Sequence, residues 1–136
     1  MSAETVAEKT EGFIENKQSL KELFFTYEGR LNRKRYLLRG LALGLVGFLV
    51  FYLMTAAAFM TENVLVAFAD VVVYAIIFVS SFMLSIRRLH DMGKPGWWVA
   101  ILFVPVVGII LSLVMLFKKG TEGANEYGPD PLAVSE

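Results

Sequence analysis

The chain has 136 residues, of which 56% are hydrophobic, with no cysteine, one histidine and a formal net charge of zero. Without thiols or a second imidazole, the composition excludes a disulfide framework, a cysteine nucleophile and a metal site built from several histidines or thiolates. The balanced charge gives no electrostatic reason to expect a nucleic-acid partner. We therefore expect a single apolar domain that holds neither metal nor cofactor.

The N-terminal region, residues 1–28, is rich in acids and lysines and lacks the apolar core of a secretory signal, so we expect it to stay in the mature protein. Ser19 and Glu22 have the spacing of a capping box, which predicts a helix start. An apolar face at helical spacing follows, formed by Leu20, Leu23, Phe24 and Tyr27. We predict a disordered N-terminus and a short amphipathic interfacial helix within residues 1–28.

Three long apolar runs follow, and each reaches the length of roughly 20 residues that a helix needs to cross the hydrocarbon of a bilayer. Gly40 to Met60 and Trp97 to Phe117 contain no charged residue, and Val64 to Ile86 contains Asp70 as its only charge. We predict an all-α integral membrane protein with three transmembrane helices over about 38–60, 64–86 and 97–117, in a membrane domain at 29–119. Pro105 and Gly108 predict a kink in the third helix rather than a break, because neighbouring helices can satisfy the freed carbonyl, and a re-entrant third segment is the alternative.

Cationic residues predict the orientation of these spans. They cluster before the first run and between the second and third, whereas the 61–63 connection has none; the cations are Arg30, Arg33, Lys34, Arg35, Arg39, Arg87, Arg88 and Lys94. The N-terminus and the 87–96 loop are therefore predicted to be cytoplasmic. Three crossings would place the C-terminus outside, with which Lys118 and Lys119 disagree.

The connection between the second and third runs predicts a helical hairpin. Lys94-Pro95-Gly96 is typical of a tight turn, in which proline fixes φ and glycine accepts a positive φ. Trp97 and Trp98 then begin the third run where aromatic anchors are expected at headgroup depth.

A narrow polar stripe is predicted on the second run, where Asp70, Tyr74, Ser81 and Ser85 project to one side together with Arg88. An intramembrane carboxylate indicates an ion or proton pathway, and the alternative is an interfacial aspartate with serines that join helices. The first run carries a small-residue face with Gly40, Gly44, Gly47 and Thr55, which we expect to pack against the stripe.

His90 beside Asp91 is the one arrangement that suggests catalysis, with a base and its orienting carboxylate. No nucleophile motif accompanies the pair, so we expect a helix cap, an ion pair or a headgroup contact and no enzymatic activity. The tail, residues 120–136, is rich in glycine and proline, and Asn125 to Pro131 predicts a structured turn.

Four ordered motifs over residues 24–131 resemble the YhaH-like family of small bacterial inner-membrane proteins, known as domain of unknown function 805. They are Gly29-Arg30-Leu31-Asn32-Arg33, Arg87 to Asp91, Gly96-Trp97-Trp98, and the tail from Gly120 to Pro131. The matching residues are Gly29, Arg30, Arg33, Arg87, Arg88, His90, Asp91, Gly96, Trp97, Trp98, Asn125, Tyr127, Gly128, Asp130 and Pro131. The resemblance implies a multi-pass protein of the bacterial plasma membrane without an established activity.

These motif residues are our candidate contacts for a lipid or a partner. We predict a non-enzymatic binding or scaffold protein whose basic and aromatic cytoplasmic face meets the bilayer, with anionic phospholipid, another membrane protein or a second copy as partner. A small transporter or ion-coupled component that uses the Asp70 stripe is the alternative, and an enzyme that uses His90 and Asp91 is the second alternative. If the motifs form one site, the tail must lie on the same side as the other three.

Overall fold

The computed structural model describes residues 2–4 and 19–132. Its elements are α1 (Leu20–Phe24), α2 (Arg33–Thr61), α3 (Val64–Asp91), a 3₁₀ helix (Gly96–Phe103) and α4 (Pro105–Phe117). Within these ranges there is no strand apart from one isolated bridge between Asn125 and Gly128. The all-helical class is therefore confirmed. The predictions for residues 1, 5–18 and 133–136, including the disordered N-terminus, lie outside the described residues.

The short helix α1 begins at the predicted capping box. Ser19 Oγ accepts from Glu22 N at 3.2 Å, and Glu22 Oε2 accepts from Ser19 N at 3.2 Å. The helix ends at Phe24, however, so Tyr27 lies beyond it and the predicted four-residue face is wrong at its last member. Phe24 O accepts from Ser80 Oγ at 2.7 Å, which joins α1 to α3.

The helices α2 and α3 form an antiparallel pair that is long and apolar enough to cross a membrane. They have 29 and 28 residues, and only 6% and 11% of the most apolar 18-residue stretch of each helix is buried. A core helix of a water-soluble domain would bury most of such a window, whereas a membrane span presents it to lipid. The first two predicted spans are therefore present as helices. At the basic flanks α2 begins five residues before its predicted bound and α3 ends five residues after its own, whereas their other ends agree with the prediction within one residue.

The helices α2 and α3 pack closely at Gly47. A Cβ on this residue would lie 3.3 Å from Ile77 Cδ1, and Tyr74 OH donates to Gly47 O at 3.4 Å. A Cβ on Gly40 or Gly44 would instead meet no atom within 4 Å. The prediction that the small-residue face packs closely is therefore right at Gly47 and wrong at the other two glycines.

The third apolar segment differs most from the prediction of a continuous helix over 97–117. It consists of the 3₁₀ helix and α4, with Val104 in extended conformation between them. Eight residues at about 2.0 Å and thirteen at about 1.5 Å rise give roughly 16 and 20 Å, each too short for a core of about 30 Å. Both ends of the segment lie beside the C-terminal end of α3: Gly96 faces His90, and Lys118 O accepts from Arg88. The segment folds back, as in the re-entrant alternative.

The turn between α3 and the 3₁₀ helix is also displaced from its predicted position. Gly93 N donates to His90 O at 3.0 Å and Lys94 N to Leu89 O at 2.9 Å, which is the Schellman pattern of a helix end. The positive φ of 72° falls on Gly93, not on Gly96. Gly96 is required for a different reason, because a Cβ there would lie 2.9 Å from Ile86 Cγ2.

The hydrophobic core lies at the end of the helix pair where this segment folds back. It consists of Leu89, Val99, Leu111 and Met115, with Tyr36, Phe82 and Trp98 packed around it. Gly108 allows the hairpin to close, because a Cβ there would overlap the carbonyl of Leu102. The core therefore fixes the fold-back segment against α3 and brings residues 118–131 beside the start of α2.

Candidate functional site

Three of the four sequence motifs meet at this end of the molecule, around the carboxylate of Asp91. They are Gly29 to Arg33, Arg87 to Asp91 and the tail from Gly120 to Pro131. Asp91 accepts from Arg30 Nε at 3.1 Å through Oδ1 and from Arg88 through Oδ2. The three residues are 3%, 6% and 0% exposed, in that order. We call Arg30, Arg88, His90, Asp91, Asn125 and Tyr127 the motif cluster.

Arg30 connects the bend before α2 to the tail. Its Nη1 donates to Gly123 O at 2.6 Å and its Nη2 to Thr121 O at 2.5 Å. The residue sits in the bend before α2, where Gly29 has a φ of 86° and the next residue, Leu31, donates its N–H to Arg87 O at 3.1 Å. This backbone bond sets the Arg30 side chain against the end of α3.

Arg88 connects α3 to the C-terminal end of α4. Its Nε donates to Met115 O at 2.6 Å and its Nη2 to Lys118 O, both of them carbonyls in or next to the last turn of α4. A cation is favoured there because the carbonyls lack helical partners and carry the negative end of the helix dipole. These acceptors stabilise a second buried guanidinium beside a single buried carboxylate.

The histidine of the cluster contacts the tail and does not contact the Asp91 carboxylate. Its ring stacks on Tyr127 with centroids 4.0 Å apart and an angle of 3° between the planes, and its Nδ1 lies 3.2 Å from Gly29 O. A carbonyl accepts only, so Nδ1 carries a proton. Asn125 Nδ2 donates to His90 O at 2.9 Å. The described residues therefore show a packed histidine, and no His–Asp pair oriented for catalysis.

The tail is a compact turn, as its composition predicts. Asn125 and Gly128 exchange backbone hydrogen bonds of 3.0 and 3.1 Å, and Asn125 Oδ1 accepts from Tyr127 N at 2.9 Å. Asp130 accepts from the N–H groups of Leu132 and Gly123, which hold the pKa of its carboxyl below the ordinary value. Pro131 is buried in the same turn. The turn places the carbonyls that Arg30 uses.

The remaining motif residues lie around the cluster with different roles. Arg33 Nη1 donates to Phe117 O at 2.9 Å, and Arg87 Nη1 donates to Glu22 O at 3.1 Å. Lys94 lies 5.0 Å from the ring centre of Trp98, whereas Trp97 is 69% exposed. Arg30 and Arg88 are thus enclosed by the protein, whereas neighbouring motif residues such as Arg33 and Trp97 are exposed.

The predicted polar stripe on α3 is bonded mainly to backbone. Ser81 Oγ donates to Ile77 O and Ser85 Oγ to Ser81 O, both at 2.9 Å, within the same helix. Tyr74 bonds to Gly47, as described above. Asp70 differs, because its Oδ1 is buried without a hydrogen-bond partner among the described residues. No continuous chain of side-chain hydrogen bonds joins Asp70 to the motif cluster in this part of the chain.

Sequence reasoning missed two residues that the geometry makes important. Gly120 is needed beside the cluster because a Cβ on it would overlap the Asp91 carboxylate, and nothing in the sequence indicates that approach. Gly93 lies just past the end of α3, and that position is itself a signal for a helix C-cap. Among residues 2–4 and 19–132, no three His, Asp or Glu side chains come together in a way that would hold a metal ion.

The fold and the cluster define an all-helical protein with two membrane-length helices and a buried arginine–aspartate centre. The family model described as "Protein of unknown function (DUF805)" matches residues 24–129, and the chain belongs to this family. The resemblance inferred from the four motifs is confirmed.

Two curated relatives come from Escherichia coli strain K12. The chain is 44% identical to inner membrane protein YhaI over 54 residues, which are 40% of this chain and 46% of YhaI. It is 34% identical to inner membrane protein YhaH over 56 residues, which are 41% of this chain and 46% of YhaH. The match therefore spans about half the length of these relatives. No solved structure matches the chain.

Proposed function

We propose that this chain is a multi-pass protein of the bacterial inner membrane, with α2 and α3 as two spans and the third apolar segment re-entrant. The support is the position of charge: every lysine and arginine among residues 19–132 lies at the end of the helix pair that holds the motif cluster. The opposite end, Thr61-Glu62-Asn63, has none. By the positive-inside preference, the cluster, the 87–96 loop and the tail are cytoplasmic. Lys118 and Lys119 then agree with the other cations. Both E. coli relatives are named as inner membrane proteins.

We propose further that the protein is a non-enzymatic binding protein whose cytoplasmic face engages anionic lipid. The observation that carries this proposal is the division of the cations into two groups. Arg30 and Arg88 use their donors inside the protein, whereas Arg33, Lys34, Lys118 and Lys119 are exposed around them. Exposed cations at headgroup depth attract anionic lipid, with about 1 kcal/mol for each Lys or Arg near the surface.

Native mass spectrometry of protein extracted in mild detergent tests this function. We expect retained phosphatidylglycerol, and less of it after Lys34 and Lys118 are both replaced by Gln. Lys34→Arg with Lys118→Arg is the matched control, since it keeps the charge and should retain the lipid. Equal retention by the Gln and Arg variants would contradict the proposal. A co-purifying protein without lipid would favour a membrane-protein partner instead.

Asp70 supports a second candidate, an ion-coupled component, because a buried carboxylate oxygen without a partner is costly unless it serves a function. Flux of protons or sodium ions into proteoliposomes that contain the protein would test it. Loss of flux in Asp70→Asn would support the candidate, and an unchanged flux in that variant would exclude Asp70 from any such pathway.

A further inference from the structure

An apolar groove of about 340 Å³ opens between α2, α3 and α4, on the lipid-facing side of the motif cluster. Its walls include Leu37 and Gly40 of α2, Leu84 and Ser85 of α3, and Ser112 and Leu116 of α4. The volume lies within the range of about 300–1,000 Å³ that is typical of ligand clefts. Because the groove lies between helices whose outer faces meet hydrocarbon, its occupant must be apolar over most of its length.

Gly40 keeps the α2 wall of the groove open. A Cβ at this position would meet no atom within 4 Å, so the glycine leaves a shallow wall where a larger side chain would fill the space. The few polar groups in the groove are already paired: Tyr36 OH lies 3.3 Å from Ser85 Oγ, and Ser112 Oγ donates to Gly108 O at 2.9 Å. A hydrocarbon chain can therefore enter without leaving a polar group unsatisfied.

Cations border the cytoplasmic mouth of this groove. Arg33 reaches from α2 to Phe117 O of α4, the residue that follows the groove-lining Leu116. Among the described residues this is the one hydrogen bond of its guanidinium, and Lys34 makes none with its side chain. Arg33 and Lys34 also line a small adjoining cavity of about 70 Å³. The carboxylates of this cavity already have partners: Glu122 pairs with Lys119, Asp91 with Arg30 and Arg88, and Asp130 accepts from backbone N–H groups. The mouth is thus open to an anionic group that has a chain attached.

The first turn of α2 strengthens this charge complementarity. It contains Arg33, Lys34 and Arg35 and no acid, although the N-terminal end of a helix carries positive partial charge. Cations are unfavourable at that end, and a bound anion would offset both the dipole and the cluster of positive side chains.

We infer that the groove and its mouth form a binding site for one anionic glycerophospholipid, with an acyl chain between α2 and α4 and the phosphate at Arg33 and Lys34. This inference rests on the proposed affinity for anionic lipid and adds a defined site, a stoichiometry of one and a role for Gly40.

The test uses the full chain in mild detergent, incubated with phosphatidylglycerol or phosphatidylcholine and measured by native mass spectrometry. We expect one phosphatidylglycerol bound in preference to phosphatidylcholine. Gly40→Leu should remove that bound lipid, because the side chain fills the groove. Ala42→Leu is the matched control, since it adds a leucine to the exposed, opposite side of the same helical turn. The double variant Arg33→Gln, Lys34→Gln should lose the preference by about fivefold for each cation removed.

The outcomes separate this inference from the proposed function. Preferential phosphatidylglycerol binding that is the same in Gly40→Leu and Ala42→Leu would overturn the groove site and leave surface binding intact. Equal binding of the two lipids by the unaltered protein would overturn both.

A photoreactive phosphatidylglycerol with a diazirine in its acyl chain extends the test to the unaltered protein, in case Gly40→Leu does not fold. Crosslinks should map to groove residues such as Leu84 and Leu116. Crosslinks confined to outward-facing residues such as Phe48 and Ile109 would overturn the inference.

Discussion

The two ends of the α2–α3 pair are built in different ways, although both consist of similarly apolar helices. At the motif end, buried charges, helix-end carbonyls and the core around Leu89 and Met115 join five segments. These are the bend before α2, the end of α3, the 3₁₀ helix, α4 and the tail. At the opposite end, α2 and α3 contact each other without a third helix, and no residue of α2 beyond Gly47 is buried. Where lipid surrounds both helices, burial of apolar surface no longer distinguishes folded from separated helices, so polar contacts determine the arrangement. The motif end is therefore expected to hold most of the structural specificity of the protein.

Removal of the central carboxylate should have the largest effect. Asp91→Asn leaves two buried guanidinium groups without a counter-charge, and loss of one partner from a buried ion pair costs about 3–5 kcal/mol. We expect a large fall in the thermal unfolding midpoint in detergent. Asp70→Asn is the control at the opposite end, where no ion pair is broken and the loss of an unpartnered buried carboxylate should not lower the midpoint. Equal effects of the two variants would contradict the distinction between the ends.

Alanine at glycine positions should have opposite effects at the cluster and on the exposed side of α2. Gly120→Ala places a Cβ on the Asp91 carboxylate and should cost about 1–3 kcal/mol, as overpacking typically does. Gly44→Ala meets open space inside a helix and should stabilise by up to about 1 kcal/mol. Unfolding midpoints of the two variants check this, and the same sign for both would refute it.

The helix cap at Gly93 should contribute less than the cluster. Its φ of 72° is unfavourable for any residue with a Cβ, and Gly93→Ala should cost about 1–2 kcal/mol. Gly123, with a φ of 71°, offers a comparison in the tail, because a Cβ there meets no atom within 4 Å. If the α3 cap matters for the position of the fold-back segment, Gly93→Ala should also increase hydrogen exchange at the amide of Thr121, which donates to Asp91 O at 2.7 Å.

The smallest expected effect is a local pH dependence in the tail. Hydrogen bonds from the N–H groups of Leu132 and Gly123 lower the pKa of Asp130 in the folded protein. The stabilisation is therefore present above the ordinary aspartate pKa of about 3.9 and is lost as the pH falls through the lower folded value. Amide exchange at Gly123, relative to its intrinsic rate, should rise over that acidic range. Asp130→Asn should remove the dependence, and its persistence in this variant would assign it to another group.

Local patterns predicted the parts of the fold that depend on near neighbours in sequence. The Ser19–Glu22 capping box, the two long helices and the turn at Asn125 to Gly128 each follow from residues close together in the chain. The prediction of a continuous third helix was wrong because apolar composition indicates a preference for lipid and contains no information on whether the chain crosses the bilayer or turns back. Pro105 indicated a kink, whereas the structure has an extended residue at Val104 and a reversal of the chain.

The candidate site could be predicted as a set of residues but not as an arrangement. Arg30 and Arg88 were selected as motif residues, yet their acceptors are carbonyls of Thr121, Gly123, Met115 and Lys118, up to 93 positions away in the chain. Every residue has a carbonyl, so composition and spacing cannot identify such partners. The reversal of the third segment, which the sequence left open, brings them within reach.

A tail on the same side of the membrane as the 87–96 loop is the central requirement for the motif cluster to form. The chain has no cysteine, so single cysteines at Asn63, Met92 and Ala124 can be labelled with a membrane-impermeant maleimide in intact cells and again after lysis. We predict that Asn63→Cys is labelled in intact cells, whereas Met92→Cys and Ala124→Cys are labelled only after lysis. Labelling of Ala124→Cys in intact cells, with Met92→Cys protected, would mean that the third segment crosses the membrane and that the motif cluster does not form.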